Sequence, residues 1–157
     1  MVLFNSPVHL GDTDSPMIFP GVPFIGLRLS LPLTLPPVTA SDELILRFTT
    51  SKIETWAEWQ NHKVYLQDKL IGILTDANDT SGDSEVRTLI IAGNILLQLP
   101  RHIALQIEIG QQEPGLADDF LLKQIDAEGV SVQLGWVTVS TDTFHGSVNE
   151  DNADLPK

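Results

Sequence analysis

The 157-residue chain contains no cysteine, which excludes disulfides, thiolate metal centres and a cysteine nucleophile. Basic residues are scarce. Nine Lys and Arg stand against 21 Asp and Glu, a formal net charge of −12. Such a field repels phosphate backbones and anionic headgroups, so neither nucleic acid nor an anionic membrane is an expected partner. No apolar run reaches the roughly 18–20 residues that a membrane span needs, so membrane insertion is not expected. The first residues, MVLFNSPVHLGDTDSP, show neither the basic nor the sustained apolar segment of a secretory signal. The expected setting is therefore soluble, cytoplasmic or assembled into a larger particle.

Catalytic signatures are missing too. His9, His62, His102 and His145 show no metal-ligand spacing. There is no G-x-S-x-G elbow and no glycine-rich phosphate loop after a strand. TDANDTSGDSE invites comparison with a calcium loop, but counting from Asp76 the required glycine is Ser81 and the required glutamate is Arg87. It reads as a surface loop, and the chain as no enzyme.

What is present is a period of two. Ile25, Leu27, Leu29, Leu31, Leu33 and Leu35 alternate with smaller or polar residues, and Pro32 places that strand at an edge, a bulge or a break. Leu44, Leu46 and Phe48 form a second series, and Ile103, Leu105, Ile107 and Ile109 a third. VYLQDKLIGIL reads as a hairpin turning near Gln67-Asp68-Lys69, and SEVRTLIIAGNILLQL as a strand with a turn or bulge at Gly93-Asn94. DDFLLKQID and GVSVQLGWVTVS supply the last strands, with Trp136 in phase with the core positions Val130, Val132 and Leu134. Seven to nine short strands between turn-rich segments predict an all-β fold, a two-sheet antiparallel β-sandwich. One short helix near 51–60 is compatible, because Ser51 and Glu54 stand at capping-box spacing and Ile53, Trp56 and Ala57 at helical spacing. Residues 1–140 are expected to form a single domain, and 141–157, poor in apolar residues and acidic, a flexible tail.

Three stretches carry a resemblance. VYLQDKLIGIL is similar to the V-Y-V-N-G-x-x-I-G-x-L hairpin of galactose-binding-like jelly-roll domains. LPRHIALQIEIG resembles their L-x-x-G-x-N-x-L-x-I-x-V strand, and DDFLLKQIDAEG their closing D-D-F-x-I-x-N-I-x-L. The three occur in the family's order over about residues 42–135. Two departures stand out. Gln67-Asp68 replaces the Asn-Gly turn, which predicts a change of turn type, and Arg101-His102-Ile103 replaces the Gly and Asn before the later strand. The resemblance implies a jelly roll resembling carbohydrate-binding modules, usually non-catalytic, with loops that take carbohydrate or another surface ligand.

Asp118 and Asp119 have two readings. In the preferred one, strand entry, the resemblance implies that one carboxylate accepts backbone N–H bonds that pin a loop and that Phe120 opens the buried face. The alternative is a structural calcium held by Asp118 and Asp119 with Asp12 and Asp14 of GDTD. No other cofactor is expected. Trp56 and Trp59, with His62 near them, are the candidate ligand platform, since a flat ring stacks on the apolar face of a pyranose. The competing reading has these tryptophans covering the end of the sandwich.

The leading expectation is thus a non-catalytic module for carbohydrate or another surface ligand. The alternative is a structural or adaptor subunit of a larger assembly, such as a phage-like particle, tail or fibre. There the partner is a protein or another copy of the chain, paired by strand addition through 25–35 or 141–157.

Overall fold

The structure is a computed structural model, and it describes residues 1–13, 17–53, 61–75, 84–111, 117–135 and 147–148. Among the described residues, twelve strands and one short helix follow one another along the chain. They are β1 (Val2–Phe4), β2 (Val8–Leu10), β3 (Phe24–Gly26), β4 (Arg28–Thr34), β5 (Glu43–Ser51), β6 (His62–Leu66) and β7 (Lys69–Leu74), then β8 (Glu85–Ala92), α1 (Gly93–Leu96), β9 (His102–Glu108), β10 (Phe120–Glu128), β11 (Gln133–Leu134) and β12 (Ser147–Val148). They form two sheets of six. Sheet A runs β3-β2-β10-β5-β8, with β1 also beside β10; sheet B runs β11-β4-β9-β6-β7, with β12 also on β4. Every pairing is antiparallel except that of β2 with β3. The chain folds as the all-β two-sheet sandwich expected of it. No helix among the described residues is long and apolar enough to cross a membrane.

The core is where the alternation put it. Leu29, Leu31 and Leu33 of β4, Ile103, Leu105 and Ile107 of β9, and Val64 and Leu66 of β6 are all buried. So are Leu44, Leu46 and Phe48 of β5 and Phe120, Leu122, Ile125 and Ala127 of β10, in the same apolar cluster. The change of phase between Leu122 and Ile125 has a visible cause. The register against β5 shifts between Leu122 and Gln124, a bulge that lets both halves of β10 face inward. The apolar series of 25–35 is internal: Ile25, Leu29, Leu31, Leu33 and Leu35 are each at most 5% exposed. Leu27 of the same series is partly buried against this core.

Pro32 lies within β4, opposite Ala104 of β9. Its carbonyl accepts the Gly135 N–H at 2.8 Å, so its own missing N–H also faces away from β9, where β11 is only two residues long. The β6–β7 connection is a two-residue loop with φ of 46° at Gln67 and 66° at Asp68. These left-handed values are those of the Asn-Gly turn, so the replacement has kept the turn and not changed it. Gln67 is further tied to β9, its N–H donating to the Ala104 carbonyl at 2.9 Å and its Oε1 accepting the Ala104 N–H at 3.1 Å.

At Gly93-Asn94 the chain forms the single turn of α1 instead of a bulge. A Cβ at Gly93 would lie 2.2 Å from the Thr39 carbonyl oxygen, so glycine is needed for α1 to sit on the 39–42 turn. Of the segment 51–60, Ser51 ends β5 and Lys52 turns the chain with φ of 70°. Residues 54–60, where the helix was expected, lie outside the described residues, as does most of the polar loop 75–85. Within 141–157 the described pair Ser147–Val148 adds to the outer side of β4, opposite Ser30 and Leu29.

Candidate functional site

Asp118 and Asp119 immediately precede β10, and their two side chains serve different sheets. Asp119 Oδ1 accepts the Nε2–H of His9 at 2.7 Å and the backbone N–H of Thr13 at 3.1 Å. His9 belongs to β2, is 3% exposed, and sits edge-on to the rings of Phe19 and Phe24, each with centroids 4.8 Å away. Asp118 Oδ2 lies 3.2 Å from Nε2 of His62, which belongs to β6 in the opposite sheet. Gly110 donates its N–H to Nδ1 of the same ring at 3.1 Å. Nδ1 therefore carries the lone pair and Nε2 the proton, which goes to the carboxylate. The ring of His62 also stacks on Phe120, centroids 4.7 Å apart. Adjacent carboxylates thus clasp the two sheets where β10 begins.

The strand-start reading of Asp118 and Asp119 accounts for these contacts, with imidazole N–H groups as donors alongside the backbone. Asp12 joins the arrangement by accepting the Ala117 N–H on Oδ2 at 3.1 Å and the Thr13 hydroxyl on Oδ1 at 3.2 Å. No group of three His, Asp or Glu side chains that could hold a metal ion forms among the described residues. Asp14, the fourth ligand of the calcium alternative, lies outside them.

His62, expected beside the tryptophans on a platform, is completely buried, and both its ring nitrogens are bonded internally. It has neither a lone pair nor a proton to offer a substrate. Trp56, Trp59 and Trp136 lie outside the described residues.

A second arrangement, on the outer face of sheet B, was not singled out from the sequence. Burial of Val64 and Leu66 turns Lys63 and Tyr65 outward; burial of Ile103, Leu105 and Ile107 does the same for Gln106 and Glu108. Register then aligns these residues across the strands. Ser30 on β4 is opposite Gln106 on β9, which is opposite Tyr65 on β6, which is opposite Leu70 on β7. The neighbouring row is Arg28, Glu108, Lys63 and Ile73. Arg28 Nη2 donates to Glu108 Oε2 at 3.0 Å, both side chains about one-third exposed. Leu70 and Ile73 are exposed. An aromatic ring with apolar neighbours on one flank therefore lies beside an amide and an ion pair on the other. The parity of VYL was enough to turn Tyr65 outward; strand order, which alone brings Gln106 and Arg28 into line with it, was not legible.

No protein-family model matches the chain, and no curated protein matches it.

Proposed function

We propose that the chain is a non-catalytic β-sandwich binding module that takes saccharide on the outer face of sheet B. The observation that carries this reading is the Ser30–Gln106–Tyr65–Leu70 row beside the Arg28–Glu108 pair. A sugar ring has an apolar face and a polar rim; Tyr65 with Leu70 suits the first, and Gln106, Glu108 and Arg28 the second. The resemblance to galactose-binding-like jelly rolls agrees with a binding role. So does the internal bonding of His62, which takes that imidazole out of a substrate's reach.

The test is a glycan array probed with the labelled chain, followed by titration of any sugar retained. Tyr65→Ala and Gln106→Ala are each expected to weaken binding about tenfold or more with the fold intact by circular dichroism. Binding unaffected by both, or no glycan retained at all, would overturn the reading.

A second reading, a structural or adaptor subunit of a larger assembly, is favoured by the exposed apolar residues of β7 and β8, each of which ends its sheet among the described residues: Leu70, Ile73, Val86 and Ile90.

A further inference from the structure

Among the described residues six strands lie at the margins of the two sheets, β1, β3, β7, β8, β11 and β12, and five of them are protected against pairing with another chain. β1 and β3 have three residues each and β11 and β12 two, too short to template a partner. β7 begins with Lys69 and is bent by the register shift between Val64 and Tyr65 in its pairing with β6. β8 has none of these devices. It runs for eight residues, pairs with β5 through eight consecutive positions without a shift, and contains no proline. Its only charged residues, Glu85 and Arg87, are largely buried and bridge each other at 2.5 Å, and Arg87 also donates to the Thr75 carbonyl at the end of β7. What it presents outward is Val86, Thr88, Ile90 and Ala92. Val86 is 54% and Ile90 60% exposed.

We infer that the outer edge of β8 is a self-association surface, on which a second copy of this chain adds its own β8 in antiparallel register about Thr88. Two features select a second copy over an unrelated partner. The first is the pattern: Val-x-Thr-x-Ile is symmetric in kind about its centre, so a twofold axis at Thr88 sets Val86 against Ile90 of the second copy, Thr88 against Thr88, and Ile90 against Val86. Apolar pairs and a Thr–Thr pair are favourable cross-strand neighbours. The second is charge. A chain with a net charge of −12 repels itself over most of its surface, and a copy can approach best where no charged side chain points out. Nor does this edge favour a cationic partner: on the neighbouring β5, Arg47 stands opposite Thr88, and the exposed Glu43 is opposite Ala92 at the strand's end. The result joins two A sheets into one continuous sheet and makes no use of the outer face of sheet B. The inference therefore does not rest on saccharide binding.

The experiment is sedimentation velocity of the full chain over a wide concentration range, at physiological salt. The wild type is expected to show a concentration-dependent monomer–dimer equilibrium. Thr88→Lys sets two like charges opposite each other at the axis and should weaken it about tenfold or more. Val86→Glu alone and Ile90→Lys alone should each weaken it, whereas the double variant V86E/I90K faces each new carboxylate with a new ammonium and should restore it. A wild type that stays monomeric throughout overturns the inference. So does a dimer indifferent to Thr88→Lys, or a double variant no better than its parents. All three positions tested face solvent, and thermal unfolding of each variant separates loss of pairing from loss of fold.

Discussion

Gly11 lies directly against the carboxylate of Asp119: a Cβ built at Gly11 would stand 2.1 Å from Asp119 Oδ1. Gly11 also has φ of +146°, a conformation that side-chain-bearing residues rarely adopt. The oxygen concerned is the one that holds His9 and the Thr13 N–H. Gly11→Ala must therefore strain the backbone and dislodge the carboxylate together. A loss of at least about 2 kcal/mol is expected, measured by urea unfolding.

Asp118→Ala removes the acceptor from a ring that has no access to water, leaving the His62 Nε2–H unsatisfied. The expected loss is about 1–3 kcal/mol. Asp118→Asn keeps a carbonyl oxygen in the same place and should recover at least half of it. Equal losses in the two variants, by chemical denaturation, would show that the contact with His62 is not what holds this end together.

Thr50 is fully buried on β5, and its hydroxyl finds no partner among the described residues. Thr50→Val replaces that hydroxyl by a methyl group of similar size. Stability should rise by about 1 kcal/mol, since an unsatisfied buried hydroxyl costs about that or more. Calorimetry should then show a melting temperature about 2–4 °C higher.

Asp68 holds a left-handed conformation, φ 66°, at the second position of its hairpin loop. Asp68→Gly removes the steric cost that any Cβ carries there, and a gain of about 0.5–1 kcal/mol is expected. The contrasting change, Gln67→Gly, should give no such gain, because the Gln67 side chain accepts the Ala104 N–H. The difference between the two midpoints in urea is the measurement.

The clasp at the start of β10 shows how unevenly such features can be read in advance. That Phe120 opens a buried face and that a preceding carboxylate serves the start of the strand was what the resemblance implied. That Asp119 meets His9, 110 residues away, and Asp118 meets His62, 56 residues away, was not. His62 was expected in a ligand platform with Trp56 and Trp59 because the three share a polar stretch of sequence. Parity pointed the other way: His62, Val64 and Leu66 alternate with Lys63 and Tyr65, and all three are buried. The burial of an imidazole became permissible only with Asp118 and the Gly110 N–H in place to satisfy both nitrogens.

By itself, the sequence determined the all-β class, most strand positions and the inward set of each strand, including Leu29, Leu31 and Leu33, Leu44, Leu46 and Phe48, and Ile103, Leu105 and Ile107. These are properties of each segment alone, because successive side chains of a strand must point to opposite faces. Tertiary structure decided the order of strands, the bulge within β10, and α1 in place of a turn at Gly93. It also decided which outward residues become neighbours, Tyr65 with Gln106 and Ser30, and which strand has an outer edge unpaired among the described residues. Those outcomes depend on pairings between distant segments, chosen by the packing of the whole core. The alternation of any one strand is equally satisfied by many neighbours.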